Sequence, residues 1–304
     1  MIWVWLFLAA AVATPLVAEG LRQKMDASAR KAAPGHFAPL PQGITHFRWY
    51  GPEDGPVIVC VHGLTTPSFV WERLAGGLAA RGYRVLTYDL FGRGYSDRVT
   101  GLQDRKFFLR QLNDLLEALE VQDEIILIGY SMGGTISTAF AADAPKRVRH
   151  LILLASAGMG HVGGSWLRKA TKTPMLGTWL MLALYPSVLR RGLAEGAKRS
   201  DAVPEIIDLQ AKELRWRGFV PAVLSSHRGI LSDNFRPDHE TMALGSLPVT
   251  AIWGSTDDVI PLTAKDQLAA WNPKVDHLVI EGAGHEVTYT HGEAVLKQIL
   301  ARLG

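Results

Sequence analysis

The sequence predicts an α/β protein in which a mostly parallel β-sheet is covered by helices on both faces. From residue 44 to the C-terminus, short apolar runs alternate with helix-like stretches. This alternation is typical of strands buried on both faces and joined by helical crossovers. With 304 residues, 48% of them hydrophobic, the chain is long enough for one large core carrying an inserted subdomain.

Seven apolar runs are predicted to be strands, and four longer stretches between or after them are predicted to be helices. The predicted strands span residues 44–50, 57–61, 84–88, 124–129, 150–155, 249–253 and 277–281. The predicted helices span residues 70–81, 105–119, 132–142 and 292–303.

The alternation stops between residues 158 and 245, which contain no clear strand and are rich in Met and aromatic residues. We therefore predict a helical cap insertion over 158–245, with the core formed by 44–157 and 246–304. The run 175–185 is the most apolar part of the insertion. Its side chains are expected mainly to pack the insertion onto the core, and some of them to line an apolar pocket.

The first twenty residues are predicted to be an N-terminal membrane anchor. Residues 1–18 carry no charged side chain, and as a helix they would span about 27 Å, close to the hydrocarbon core of a bilayer. A cleaved signal peptide and a buried core helix are the alternatives, although no Lys or Arg precedes the apolar run. Basic residues follow it, and the positive-inside tendency favours a cytoplasmic main domain. Residues 21–43, rich in Pro and Gly, are predicted to be a linker.

The charge of the chain argues against a nucleic-acid partner, and its cysteine content excludes an internal disulfide. The net charge is +3, without a long basic block, so we expect a solvated surface and no nucleic-acid partner. Cys60 is the only cysteine, which excludes an internal disulfide. Because it lies in an apolar run, it is predicted to be a buried hydrophobic residue.

The pentapeptide Gly129-Tyr130-Ser131-Met132-Gly133 stands between the predicted strand 124–129 and the predicted helix 132–142. A serine on a sharp strand-to-helix turn needs small neighbours, because a Cβ would collide with the tight backbone. Gly129 and Gly133 provide them. The pattern predicts an exposed, nucleophilic hydroxyl at Ser131.

Serine is a weak nucleophile at neutral pH and needs a base, which in turn needs an orienting acid. His285 is the predicted base because it follows the last predicted strand in a Gly-rich loop; His62 is its main rival. Asp257, which follows the strand 249–253, is the predicted acid and is favoured over Asp258. The order Ser, Asp, His along the chain differs from the order in chymotrypsin and subtilisin.

A tetrahedral oxyanion needs two preorganised N–H donors. The backbone amide of Met132, at the start of the helix behind the serine, is one candidate. The backbone amide of Leu64, in the loop after the strand 57–61, is the second.

These motifs together resemble the α/β-hydrolase superfamily, in its capped esterase and lipase type. The resemblance covers residues 44–304 and rests on His62-Gly63, the turn 89–96, the segment 129–134, the segment 253–261 and the loop 282–285. It implies an eight-stranded sheet, a helical lid inserted after the sixth strand, and hydrolysis through an acyl-enzyme. It also implies that Asp89 belongs to a structural turn.

The predicted function is hydrolysis of lipid-like carboxylic esters, such as monoacylglycerols or lysophospholipids, at a membrane. Hydrolysis of carbon–carbon bonds in ring-fission products is an alternative within the same family. A non-catalytic accessory protein of a membrane pathway is an alternative of another class. The sequence has no H-E-x-x-H pattern, no clustered Cys and His, and no glycine-rich nucleotide loop at a strand end, so no metal or cofactor is expected. Oligomeric state stays open.

Overall fold

The computed structural model describes residues 1–122, 124–160 and 165–304. Its strands are β1 (His36–Leu40), β2 (Gly43–Tyr50), β3 (Val57–Val61), β4 (Arg84–Tyr88), β5 (Ile125–Tyr130), β6 (Val148–Leu154), β7 (Val249–Gly254) and β8 (Asp276–Ile280). They form one eight-stranded sheet in the order β1-β2-β4-β3-β5-β6-β7-β8. Strands β3 to β8 are parallel, whereas β2 is antiparallel to β1 and β4. The predicted fold class is confirmed.

The helices follow the strands in the alternation that the sequence predicts. They are α1 (Ile2–Gly20), α2 (Ala27–Arg30), α3 (Glu72–Ala79), α4 (Arg105–Ala118), α5 (Met132–Asp143), α6 (Ser165–Lys172), α7 (Pro174–Gly196), α8 (Pro204–Glu213), α9 (Phe219–Arg228), α10 (Arg236–Leu244), α11 (Thr263–Trp271), α12 (Val287–Thr290) and α13 (Gly292–Leu303). Short 3₁₀ turns occupy Ser68–Trp71, Pro145–Arg147 and Ile230–Ser232.

The central strands are buried on both faces because successive side chains point to opposite sides of the sheet. In β3, Val59 and Val61 belong to an apolar cluster on one face that also contains side chains of α4, α5, α10 and α11. Ile58 and Cys60 pack with α3 and α13 on the other. Cys60 is fully buried, and burial raises the pKa of its thiol. It is therefore a packing residue, as predicted, and not a reactive one.

The predicted linker over 21–43 is wrong for its second half, which forms the edge strand β1. Backbone pairing runs from His36 opposite Phe47 to Leu40 opposite Gly43. Pro39 is tolerated there because an edge strand need not donate every N–H to the sheet. The Pro- and Gly-rich composition of this segment thus predicted a loop. Pairing with β2, the next strand along the chain, makes it a strand instead.

Helices α6 to α10 lie between β6 and β7, the region predicted as the cap; its residues 161–164 lie outside the described residues. Helices α6, α7 and α9 share an apolar cluster that is separate from those of the sheet. We call α6 to α9 the cap helices. Helix α10 differs from them, because it packs on α5 and α11 of the core.

Helix α1 extends from the domain beside α7. In the described part of the chain it is the one helix of sufficient length, with 19 residues, and of sufficient apolarity to cross a membrane. Its large apolar side chains, including Trp3, Trp5 and Phe7, are exposed.

Candidate active site

Ser131 occupies the sharp turn between β5 and α5. Its backbone has φ +54° and ψ −120°, a conformation that side-chain-bearing residues rarely adopt. A Cβ on Gly133 would lie 2.0 Å from the Val61 carbonyl oxygen, and one on Gly129 would lie 2.5 Å from that of Gly133. Both glycines are therefore needed for the turn that lifts the Ser131 hydroxyl from the sheet.

The loops after β7 and β8 bring the predicted acid and base to this turn. His285 Nε2 lies 2.9 Å from Ser131 Oγ, and His285 Nδ1 lies 2.9 Å from Asp257 Oδ2. The three residues converge because the carboxyl ends of parallel strands meet at one edge of the sheet. In this geometry Nδ1–H donates to Asp257, which leaves Nε2 free to accept the serine proton.

Asp257 is held in place independently of the histidine. Its Oδ1 accepts backbone hydrogen bonds from Val259 (2.8 Å) and Ile260 (2.7 Å), and its side chain is almost completely buried. The neighbouring Asp258 is exposed and makes no comparable contact with His285. The structure therefore brings Asp257, and not Asp258, to the base.

Leu64 and Met132 line the same cavity as Ser131. Leu64 follows β3, whose end lies beside β5 in the sheet. Within the described residues, neither amide donates to a protein acceptor. Unpaired backbone N–H groups at residues lining the same cavity as the serine are the kind of donor that an oxyanion needs.

His62, the rival base, has a structural role. Its Nδ1 donates to the Gly63 carbonyl at 2.7 Å, while its Nε2 accepts from the Leu90 amide at 2.9 Å. Burial lowers the pKa of His62 to about 4, so the ring is neutral at physiological pH and both nitrogens are occupied.

Asp89 organises the turn 89–96, as the resemblance implies. Its carboxylate accepts from the amides of Ser68 (2.8 Å) and Tyr95 (2.9 Å) and from His46 Nδ1 (2.7 Å). Burial alone would raise the pKa of Asp89, but His46 and the hydrogen bonds outweigh burial and lower it. Asp89 is thus a buried anion used for structure.

Arg93 is a positioning residue that sequence reasoning missed. It is fully buried, and its guanidinium donates to the Leu64 carbonyl (3.1 Å), to Ser226 Oγ (2.7 Å) and to the Ala222 carbonyl (3.3 Å). It therefore joins the Leu64 loop to α9 of the cap. The sequence did not indicate this role, because an Arg in a Gly-rich turn is typical of the protein surface and because the partners of Arg93 are distant in sequence.

A cavity of about 720 Å³ opens above Ser131 between the core and the cap helices. Its apolar wall includes Leu64, Leu167, Leu189, Leu193 and Ile207. Among the described residues that line it, Arg199 is the one Lys or Arg, and it faces three carboxylates. These belong to Asp201, Asp258 and Glu286.

The run 175–185 contributes less to this cavity than predicted. Tyr185 lines it, whereas Met175 and Leu176 are exposed. The cavity wall comes instead from the C-terminal half of α7, between Val188 and Gly196. Helix direction decides this difference, because only one end of α7 lies above the serine.

The described residues contain no group of three or more His, Cys, Asp and Glu side chains that could hold a metal ion.

Comparisons with known proteins agree with the fold. A family model described as alpha/beta hydrolase fold matches residues 56–292. The solved structure of an esterase from Exiguobacterium antarcticum is similar with a TM-score of 0.74 at 18% identity, covering 88% of this chain and 98% of that one.

Several relatives have enzyme names, of which three represent different reactions. The chain is 30% identical over 280 residues to the dihydrolipoyllysine-residue acetyltransferase component of an acetoin cleaving system from Pseudomonas putida, covering 87% of this chain and 70% of that protein. It is 26% identical to a 2-hydroxy-6-oxononadienedioate/2-hydroxy-6-oxononatrienedioate hydrolase from Cupriavidus pinatubonensis (90% and 96% covered). It is also 26% identical to a pimeloyl-[acyl-carrier protein] methyl ester esterase from Aliivibrio salmonicida (84% and 95% covered). Since the family match spans well over half of its length, the chain belongs to the α/β-hydrolase family.

Proposed function

We propose that this protein is a serine hydrolase that cleaves lipid-like carboxylic esters through an acyl-enzyme. The observation that carries the proposal is the hydrogen-bonded series Ser131–His285–Asp257 at the floor of a largely apolar cavity. The pimeloyl ester esterase among the relatives supports the same reaction class.

In the proposed first step, Ser131 Oγ attacks the ester carbonyl carbon while His285 Nε2 takes the hydroxyl proton. The oxyanion accepts hydrogen bonds from the Leu64 and Met132 amides. Asp257 fixes the tautomer of His285 and stabilises the imidazolium. The imidazolium then gives its proton to the departing alkoxide, and the alcohol leaves an acyl-serine.

In the second step, water enters the space that the alcohol has left. His285 takes a proton from this water, whose oxygen attacks the acyl carbonyl. The second tetrahedral intermediate uses the same two amides. Collapse returns the proton to Ser131 Oγ and releases the carboxylic acid, so the enzyme is regenerated unchanged.

The charges in the cavity favour a substrate without extra negative charge. Arg199 lies 3.0 Å from Asp201 and 3.6 Å from Glu286, so its positive charge is already neutralised. One guanidinium against three carboxylates leaves the described lining with an excess of negative charge. A neutral ester with an apolar acyl chain suits this lining better than an anionic one.

Carbon–carbon hydrolysis is the second candidate, because one relative is named as a hydrolase of 2-hydroxy-6-oxo dienedioates. Such a substrate carries two carboxylates. They would meet the excess of carboxylates in the lining, with Arg199 as their one described cation. We therefore rank ester hydrolysis first.

The test replaces the nucleophile. We expect Ser131→Ala to lower kcat for p-nitrophenyl esters by about 10⁴-fold or more, since the residual rate comes from binding and the oxyanion donors alone. Ser246→Ala, at an exposed serine remote in sequence, is the matched control and should keep full activity. An active Ser131→Ala enzyme would refute the mechanism.

A fluorophosphonate probe separates catalysis from a binding role. An activated Ser131 is expected to form a covalent adduct, and Ser131→Ala is expected to abolish it. A wild-type protein that stays unlabelled would favour the accessory-protein alternative. Hydrolysis of a 2-hydroxy-6-oxo dienoate in preference to esters would instead favour the carbon–carbon reaction.

We further propose that α1 anchors the protein in a membrane. Support comes from its apolar, exposed surface and from the way its last turn joins the cap. The Gly218 amide donates to Glu19 at 2.6 Å, and Arg22 donates to the Leu214 carbonyl. If α1 were removed as a signal peptide, the cap surface at Leu214 and Gly218 would lose most of the segment that contacts it.

A further inference from the structure

One face of α7 carries an apolar row that the cap leaves uncovered. The α7 stripe consists of Leu176, Leu180, Leu184 and Val188, spaced four residues apart and therefore adjacent along the helix surface. Leu176, Leu184 and Val188 are 59%, 48% and 44% exposed. The stripe extends for about 18 Å.

Packing of the cap does not account for this stripe. The opposite face of α7, with Met181, Leu182 and Tyr185, already lies in the apolar cluster shared with α6 and α9. A contiguous row of exposed apolar side chains is unfavourable in water and typically marks a contact surface. Another apolar medium is therefore expected to cover the stripe.

The stripe is continuous with α1. Helix α1 packs against α7, and the Trp179 indole N–H donates to the Val12 carbonyl at 2.9 Å. Trp179 is three residues from Leu176, so the two are neighbours on the helix surface. Because Val12 lies in the middle of α1, a medium that surrounds α1 also reaches the beginning of the stripe.

The charges around the stripe indicate the chemistry of that medium. Residues 165–194 contain Arg168, Lys169, Lys172, Arg190 and Arg191 and no Asp or Glu. Apart from Arg168, whose side chain lies outside the described structure, these cations are exposed. Cations flanking an apolar row complement the phosphates of anionic lipids.

The far end of the stripe reaches the candidate active site. Val188 is both exposed and part of the cavity lining, and Leu189 and Leu193 continue the wall inward. Along one helix, the stripe therefore connects the middle of α1 to the cavity above Ser131.

We propose that the α7 stripe lies on an anionic phospholipid bilayer beside α1 and guides lipid esters from that bilayer into the cavity. The cap is thus a second membrane contact, which fixes the orientation of the cavity mouth. The guidance of substrate rests on the proposed ester hydrolysis, whereas the contact itself does not.

Site-directed labelling of the full chain tests the contact. Because Cys60 is the only cysteine and is fully buried, a nitroxide on an introduced cysteine reports one position. The three variants are Leu184→Cys in the stripe, Leu8→Cys in α1 and Leu244→Cys, an exposed leucine at the end of α10. Each is measured with vesicles of phosphatidylcholine and phosphatidylglycerol in equal parts.

We expect the nitroxides at positions 184 and 8 to lose collisions with a water-soluble nickel complex and to gain collisions with oxygen when vesicles are added. The nitroxide at 244 should keep its collisions with nickel. If position 8 enters lipid while 184 stays as accessible to nickel as 244, the second contact is refuted. If position 8 also stays in water, both contacts are refuted.

Kinetics test the guidance of substrate. The double variant Leu176→Glu/Leu184→Glu should hydrolyse a long-chain ester embedded in the same vesicles about tenfold more slowly. Its activity toward a soluble short-chain p-nitrophenyl ester should be unchanged, because neither residue lines the cavity. The matched control Leu102→Glu/Leu244→Glu alters two exposed leucines elsewhere and should change neither rate.

Equal losses on both esters, or no loss on the embedded ester, would overturn the guidance. A wild-type enzyme that hydrolyses neither ester would refute the proposed function instead, and the nitroxide measurements would still decide the membrane contact.

Discussion

Apolar residues of the same types are buried in the sheet core but partly exposed in the cap. In the core, Ile58 and Leu127 are completely buried, whereas Leu176 and Leu184 of α7 are about half exposed. The core obtains its apolar contacts from its own strands and helices. Most of the α7 stripe stays exposed in the described part of the chain. An apolar composition therefore predicts that a side chain of the core is buried. It does not predict whether a side chain of the cap is covered by the rest of the protein or stays exposed.

Gly133 of the core and Gly192 of the cap show a similar contrast at two single positions. A Cβ on Gly133 in α5 would lie 2.0 Å from a backbone oxygen, whereas one on Gly192 in α7 would have no neighbour within 4 Å. The turn at Ser131 depends on close backbone packing, while this part of α7 is open. The contrast between core and cap is therefore testable with matched substitutions.

The largest effect is expected at the acid of the core site. Asp257→Asn should lower kcat about 10⁴-fold, because an amide holds His285 in the wrong tautomer. Asp258→Asn is the matched control, one residue along the same loop and exposed, and should retain most of the activity. Ester hydrolysis at saturating substrate measures both. A larger loss in Asp258→Asn would show that the roles are reversed.

The next effect concerns backbone packing. Gly133→Ala should lower the free energy of unfolding by about 3 kcal/mol or more, because the Val61 carbonyl cannot move without distorting β3. Urea denaturation followed by circular dichroism measures the change. A stable and active Gly133→Ala enzyme would contradict the tight turn.

Lowering the pH should reduce the free energy of unfolding, because the core contains a buried histidine. His239 of α10 stacks on Trp271, and burial lowers the pKa of His239 to about 4 from an ordinary 6.5. As the pH falls, this histidine therefore binds a proton in the unfolded state before it does so in the folded state. The free energy of unfolding declines between pH 6.5 and about 4. His239→Leu should reduce this decline by on the order of 3 kcal/mol. His36→Leu, at an exposed histidine, should leave it unchanged.

The smallest effect is expected in the cap. Gly192→Ala should raise the free energy of unfolding by about 0.5–1 kcal/mol, because alanine loses less backbone entropy in a helix. The same urea measurements give the sign directly. A destabilised Gly192→Ala protein would mean that α7 is as closely packed as the core, and would weaken the contrast between the regions.

Most of the core elements were predictable from the sequence because their signals are local. Seven of the eight strands match apolar runs, and the turn at Ser131 follows from the small residues around it. The catalytic roles of Ser131, Asp257 and His285 stay predictions, but the structure does bring the three side chains together. Strand order along the chain makes this convergence predictable, since all three residues follow strands of one sheet.

The sequence by itself determined the alternation of strands and helices, the strained serine turn and the apolar N-terminal helix, because each depends on residues close together in the chain. Only the tertiary structure decided that β1 is a strand, that Arg93 connects the Leu64 loop to α9, and which end of α7 lines the cavity. The Arg93 and α7 features depend on contacts between segments far apart in sequence. Strand β1 instead forms a hairpin with its neighbour β2, and β2 joins the sheet by pairing with the distant β4. Local composition cannot specify such partners, because the free energy of each pairing arises only when both segments are in place.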